Sequence, residues 1–161
     1  MIKGKEDLQE AIVEALLMEK GTRDFYGFAS SKACSEPARD LFGRLSDWED
    51  QHMRYLQFLY RSLQGDLNLS SYEEFLEKAP ADFIESGIEV EEAERLFVEK
   101  DFIDDAEAII LALEIEGKAY KLYGKLSGSA VYPNARVIFD EMMLQEQKHI
   151  DELRKLKRIT G

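Results

Sequence analysis

The sequence predicts an all-α protein: a four-helix bundle made of two duplicated helical hairpins, with a long crossover between helices two and three. Three observations lead there. Apolar residues recur at helical spacing over long stretches interrupted by only three prolines. The second half of the chain repeats the first at a fixed offset. Both histidines of the chain stand three residues after a glutamate, in Glu49-Asp50-Gln51-His52 and Glu146-Gln147-Lys148-His149. Residues at i and i+3 share one helix face, so each glutamate and histidine can converge on one point.

The offset is 97 residues (146 − 49 and 149 − 52). It places Glu19 on Glu116, Tyr26 on Tyr123, Ile12 on Ile109, Ala15 on Ala112 and Leu16 on Leu113. It also places Phe42 on Phe139, Leu45 on Met142, Leu56 on Leu153 and Leu59 on Leu156. Apolar falls on apolar and candidate ligand on identical ligand, with no gap. A helical hairpin has been duplicated.

Helix one is expected from Lys5 to about Ala33, with Leu8, Ile12, Ala15, Leu16, Glu19 and Tyr26 on one stripe. Ser35-Glu36-Pro37 is a restart signal, a serine cap with proline in the first turn. Helix two then runs to about Leu63, and its inward stripe is Phe42, Leu45, Glu49, His52, Leu56, Leu59 and Leu63. Residues 64–101 form the crossover. Within it, Ser70 to Lys78 reads as a capped short helix stopped by Ala79-Pro80, and Glu89 to Lys100 is acidic and only partly periodic. Helix three is expected from about Phe102 to Ser127, with Ile109, Ala112, Leu113, Glu116, Ala119, Tyr120 and Tyr123 inward. Ser127-Gly128-Ser129 reads as a loop. Helix four runs from about Pro133 to Ile159, with Phe139, Met142, Glu146, His149, Leu153 and Leu156 inward. The whole of 1–161 is thus one domain: hairpin 5–63, crossover 64–101, hairpin 102–159.

The hairpins are consistent in geometry. Glu19 and Glu49 are centred on residue 34, and Glu116 and Glu146 on residue 131, both in expected turns. Each lone glutamate therefore lies level with its Glu-x-x-His partner. Helices of about 26 residues are roughly 40 Å long. The crossover can return over that distance, because extended chain covers about 3.3 Å per residue.

Composition narrows the function. The formal charge of −12 opposes nucleic acid and anionic membranes as partners but not cations. The longest apolar run, Ala108 to Leu113, is far short of a membrane span, and the start turns acidic at once, unlike a signal peptide. A cytoplasmic location is expected. The lone Cys34 excludes an internal disulfide and a four-cysteine metal site within the chain. Glutamates on helices are ordinarily solvated, yet four here fall on core stripes. Burying ionised carboxylates unpaired costs several kcal/mol each, and four together repel. Two divalent cations would neutralise them; without metal, some should hold protons well above the usual carboxylate range.

One glutamate from each of two helices, with Glu-x-x-His from each of the other two, is the dinuclear carboxylate arrangement of ferritin-like bundles. Over roughly 5–63 and 102–159 the chain resembles the rubrerythrin-like branch of that superfamily, in particular erythrin-type proteins without a rubredoxin domain. The residues that carry the resemblance are Glu19 and Tyr26, Glu49 and His52, Glu116 and Tyr123, and Glu146 and His149. The resemblance implies two iron ions bridged by Glu49 and Glu146, with Glu19 and His52 completing one and Glu116 and His149 the other. Manganese or zinc could take the same donors. It assigns Tyr26 and Tyr123 to hydrogen bonds with a carboxylate or a bound oxygen species, although both also suit an aromatic core layer. The duplication leads us to expect His52 and His149 on opposite sides of the metal pair.

Two departures bear on activity. Ala119 stands where rubrerythrins have a further carboxylate, and the chain has no Cys-x-x-Cys pairs to hold an electron-transfer iron. The implied activity is reduction of hydrogen peroxide or dioxygen, protective under oxidative stress, with electrons from a separate protein such as a rubredoxin. The alternatives are ferroxidase-type iron handling, a dimanganese catalase-like enzyme, and a metal-stabilised sensor bundle. A homodimer is compatible with all of them.

Overall fold

In the computed structural model the described residues are 4–64, 89, 91, 92, 94, 95 and 104–160. Four long helices account for nearly all of them: α1 (Lys5–Lys32), α2 (Glu36–Gln64), α3 (Asp105–Ser129) and α4 (Pro133–Thr160). Helix α1 packs on α2, α3 on α4, and α2 on α4, so two antiparallel hairpins meet through their second helices. The fold is an all-α four-helix bundle. The expected short helix at 70–78, its Ala79-Pro80 stop and most of the crossover lie outside the described residues.

The ends of the helices repeat with the sequence. Helices α1 and α3 end at Lys32 and Ser129, and α2 and α4 begin at Glu36 and Pro133, each pair 97 apart. The turns repeat too. Ala33 N donates to Ala29 O, and Ala130 N to Leu126 O. Arg39 Nη2 reaches Ala33 O and Arg136 Nε reaches Ala130 O, each neutralising a helix C-terminal carbonyl. Gly27 faces Ser46 and Gly124 faces Met143 at matching positions. A Cβ on Gly124 would stand only 3.1 Å from Met143 Cε, so this glycine leaves room for the Met143 side chain.

Four expectations are corrected. Helix α3 starts at Asp105, later than Phe102, because Asp104 is extended and caps it by accepting from Glu107 N at 3.0 Å. It continues through Ser129, so Ser127-Gly128-Ser129 is its last turn. Ser129 Oγ donates to Lys125 O at 2.6 Å, keeping the hydroxyl within the helix. On its inner face Ile115 is buried, whereas Leu113 is only half-buried and Tyr120 is 36% exposed. Leu63, expected inward at the end of α2, is likewise half-buried.

The core is divided in two. One apolar cluster joins Leu8, Ile12 and Leu16 of α1 to Leu56 and Leu59 of α2, Tyr123 of α3 and Phe139 and Met142 of α4. The other joins Phe25 and Tyr26, Phe42 and Leu45, Ile109 and Ile115, and Leu153 and Leu156. The duplication exchanges these clusters. Between them lies a layer of buried charged residues, sealed by apolar side chains at both ends.

Candidate metal centre

That layer contains all six glutamate and histidine residues singled out in the sequence. Glu19, Glu49, His52, Glu116 and Glu146 are fully buried, and His149 is 3% exposed. Glu49 and Glu146 face each other because α2 and α4 pack together. His52 Nδ1 lies 2.9 Å from Glu146 Oε1 and 3.5 Å from both Glu19 Oε1 and Glu49 Oε2. His149 Nδ1 lies 3.4 Å from Glu116 Oε2, 3.6 Å from Glu146 Oε2 and 3.9 Å from Glu49 Oε1.

Two four-donor sets result. Glu19, Glu49, His52 and Glu146 form one, and Glu49, Glu116, Glu146 and His149 the other, with the donor atoms of each within 4.8 Å of one another. Glu49 and Glu146 belong to both sets. Both oxygens of each of these carboxylates, and Nδ1 of His52, are buried without a well-formed hydrogen bond among the described residues. Buried polar atoms are almost always satisfied, so such a cluster calls for a further partner. Carboxylate oxygens and imidazole nitrogens are the donors that divalent iron, manganese or zinc accepts, and the cluster fits such ions.

The electrostatics point the same way. Burial, then the charges of Glu19 and Glu146, push Glu49 well above the usual carboxylate range. Burial and Glu146 push Glu116 up to about 8, against the pull of His149. Burial would raise Glu146 as well, but the charge of His52 and the close approach of Glu116, His149 and His52 to its oxygens hold it low. Burial would lower both histidines and is outweighed. Glu146, Glu19 and Glu49 raise His52 well above its usual value. Glu116 and then Glu146 bring His149 to about 9. Without metal, protons must do part of the neutralising.

The tyrosines are placed more specifically than the sequence suggested. Tyr26 OH donates to Glu116 Oε1 at 2.9 Å, and Tyr123 OH donates to Glu19 Oε1. Each reaches across to the lone glutamate of the other hairpin, tying α1 to α3. Each also stacks on a phenylalanine of its own hairpin, Tyr26 on Phe42 at 6.1 Å and Tyr123 on Phe139 at 6.2 Å. The carboxylate partner and the aromatic layer are therefore both real. One expectation fails: the rings of His52 and His149 stack at 5.3 Å, so the histidines lie side by side. Spacing along a helix places a side chain on a face but does not set its rotamer.

The sequence of the bundle is matched by the model of one known family, Rubrerythrin, over residues 10–157. The chain belongs to the rubrerythrin family. No curated protein and no solved structure matches it. As a rubrerythrin-family bundle it has a buried glutamate and histidine cluster able to hold metal ions, as the family resemblance implied. Among the described residues no helix is long and apolar enough to cross a membrane.

Sequence reasoning missed three residues around this rubrerythrin-family centre and one at the first turn. Gln145 Oε1 is 2.9 Å from His52 Nε2. Trp48 stacks on His149 at 4.7 Å and 4° between planes, and the Arg44 guanidinium lies 5.7 Å from the Trp48 ring. Trp48 and Gln145 are themselves 97 apart, each immediately before a shared glutamate, which was the signal available. Asp105, which accepts from Cys34 N at 2.9 Å and Ser35 N at 2.7 Å, joins the start of α3 to the first turn. It had no sequence signal.

Proposed function

We propose that this chain is a dinuclear carboxylate enzyme that holds two iron ions and reduces hydrogen peroxide or dioxygen with electrons from a separate donor protein. The observation that carries the reading is the sharing of Glu49 and Glu146 by both donor sets, with four buried oxygens lacking hydrogen bonds. Glu19 and His52 would complete one ion, and Glu116 and His149 the other. Two ferrous ions would supply the two electrons that, with two protons, take hydrogen peroxide to two water molecules and leave two ferric ions.

The residues of the chain have separate tasks. The glutamates and histidines would hold the ions, and the four glutamates would cancel their charge. Tyr26 and Tyr123 fix Glu116 and Glu19 by hydrogen bonds, and each keeps a proton beside a carboxylate. The two apolar clusters exclude bulk water, which strengthens every charge interaction in the layer. Protection against oxidative stress follows as the physiological role.

A second reading, ferrous oxidation for iron handling without a dedicated donor, is favoured by one residue. Ala119 is buried where the family resemblance calls for a further carboxylate. One experiment separates the two. Protein loaded anaerobically with Fe(II) is mixed with peroxide in the presence and absence of a rubredoxin-type reductant. Sustained turnover that needs the reductant supports the peroxidase. A single round of iron oxidation under both conditions supports iron handling, and no reaction would overturn both.

A further inference from the structure

The position before each shared glutamate reaches the histidine of the opposite hairpin, yet it does so with different chemistry. Gln145 on α4 meets His52 on α2, and Trp48 on α2 meets His149 on α4. The duplication thus preserves the placement and breaks the equivalence.

The direction of the hydrogen bonds can be read outward from the surface. Gln145 Nε2 lies 3.3 Å from Glu141 Oε1 and 3.3 Å from Tyr55 OH. A carboxylate only accepts, so the amide NH2 of Gln145 faces Glu141 and its Oε1 faces His52. An amide oxygen also only accepts, so His52 Nε2 must carry the proton at 2.9 Å. The nitrogen left to donate a lone pair is Nδ1, the atom that already lies among Glu19, Glu49 and Glu146. Partners of this kind orient a metal-binding imidazole and raise its basicity. His149 has no counterpart of this bond among the described residues. Its ring is held by the face of Trp48, which confines the plane but selects neither nitrogen.

We propose that Gln145 is a positioning residue that presets the His52 tautomer through the Glu141–Gln145–His52 chain, so that the two metal positions are inequivalent and the one completed by His52 is the tighter. This rests on the metal reading of the site given above. Filling is then ordered, with the first divalent ion at Glu19, Glu49, His52 and Glu146, and the second beside His149. The differential placement of Gln145 and Trp48 is what separates the steps.

The test is anaerobic titration with Co(II), followed by calorimetry and by the visible absorption of the bound ion. Wild-type protein should bind two ions in two resolved steps. Gln145→Met keeps the volume and removes the acceptor; it should weaken the first step about 10- to 100-fold, collapsing the two steps toward one. Gln145→Glu keeps an acceptor toward Nε2 and should restore a resolved first step. Glu141→Ala, at an exposed position, should weaken the same step to a smaller extent by freeing the amide to rotate. Two resolved steps that Gln145→Met leaves unchanged, or weakens equally, would overturn the positioning role while leaving the site reading intact. Two equivalent ions in the wild type would also overturn it. Wild-type protein that binds no Co(II) would overturn the metal reading and this inference together.

Discussion

At the residue scale, the site depends on groups whose burial has no structural benefit of its own. The tyrosines are the exception, because each serves both layers. Tyr26→Phe removes the donor to Glu116 Oε1 and leaves a fully buried oxygen with one contact fewer. Such a loss costs about 1–3 kcal/mol. Tyr123→Phe removes the matching donor to Glu19 and should act in the same direction. Urea unfolding of metal-free protein should show both variants destabilised by that amount with unchanged slopes. Wild-type stability in both would mean that these hydroxyls contribute nothing to holding the carboxylates. The six glutamate and histidine residues were legible because duplication repeats them, and a Glu-x-x-His on two core stripes carries inward charge that cations or protons must neutralise. That the tyrosines cross between hairpins was not legible, because spacing within a helix says nothing about which neighbouring helix a side chain meets. The histidine rings were misplaced for a related reason: rotamers answer to packing, and only the folded layer supplies it.

At the scale of elements, helix ends matter through the turns that they form. Asp105 accepts from two backbone amides of the first turn, at Cys34 and Ser35. Partial burial would raise its carboxyl, but the Ser35 side chain, then these two amides and the charge of Arg39, hold it below the usual range. Ser35 Oγ adds a cap to Ala38 N at 3.3 Å. Asp105→Ala should lower stability by roughly 1–2 kcal/mol, the size of a lost cap. It should also speed amide hydrogen exchange at Cys34 and Ser35 while leaving exchange at Ala130 unaltered. Uniform exchange across both turns would refute this local role. The helices themselves were legible from periodicity, but their ends less so. Ser127-Gly128-Ser129 has the composition of a loop, yet α3 continues because the repeat governs where the hairpin turns. Tyr120 and Ile115 exchange roles for a similar reason. Both lie close to the Glu116 face, and packing against α4 decides between neighbours that periodicity alone leaves level.

At the scale of the whole molecule, the charged layer couples stability to pH and metal. Glu116 moves from an ordinary 4.5 to about 8 on folding, and His149 from 6.5 to about 9. For groups raised in this way, the folded state binds more protons than the unfolded chain. Their contribution is complete below the unfolded value and is lost as pH rises through the folded one. The windows run from 4.5 to about 8 for Glu116 and from 6.5 to about 9 for His149, and Glu49 and His52 move in the same direction. Glu146, held low, acts with opposite sign only in acid below this range. Metal-free protein should therefore melt at progressively lower temperature from about pH 5 to about pH 9. Divalent metal displaces those protons and stabilises by mass action, so the gap between metal-loaded and metal-free melting temperatures should widen over the same interval. A gap constant with pH would show that the buried groups do not titrate with folding.

The central claim, that one buried layer holds two ions through shared carboxylates, is tested most directly by counting ions. Fe(II) is titrated anaerobically into wild-type, Glu49→Ala, Glu146→Ala and Glu19→Ala protein, and bound iron per chain is measured after removal of the excess. The account predicts two ions in the wild type, none in Glu49→Ala and Glu146→Ala, and loss of mainly one in Glu19→Ala, with helical circular dichroism retained throughout. Two ions per chain remaining after loss of Glu49 or Glu146 would contradict it.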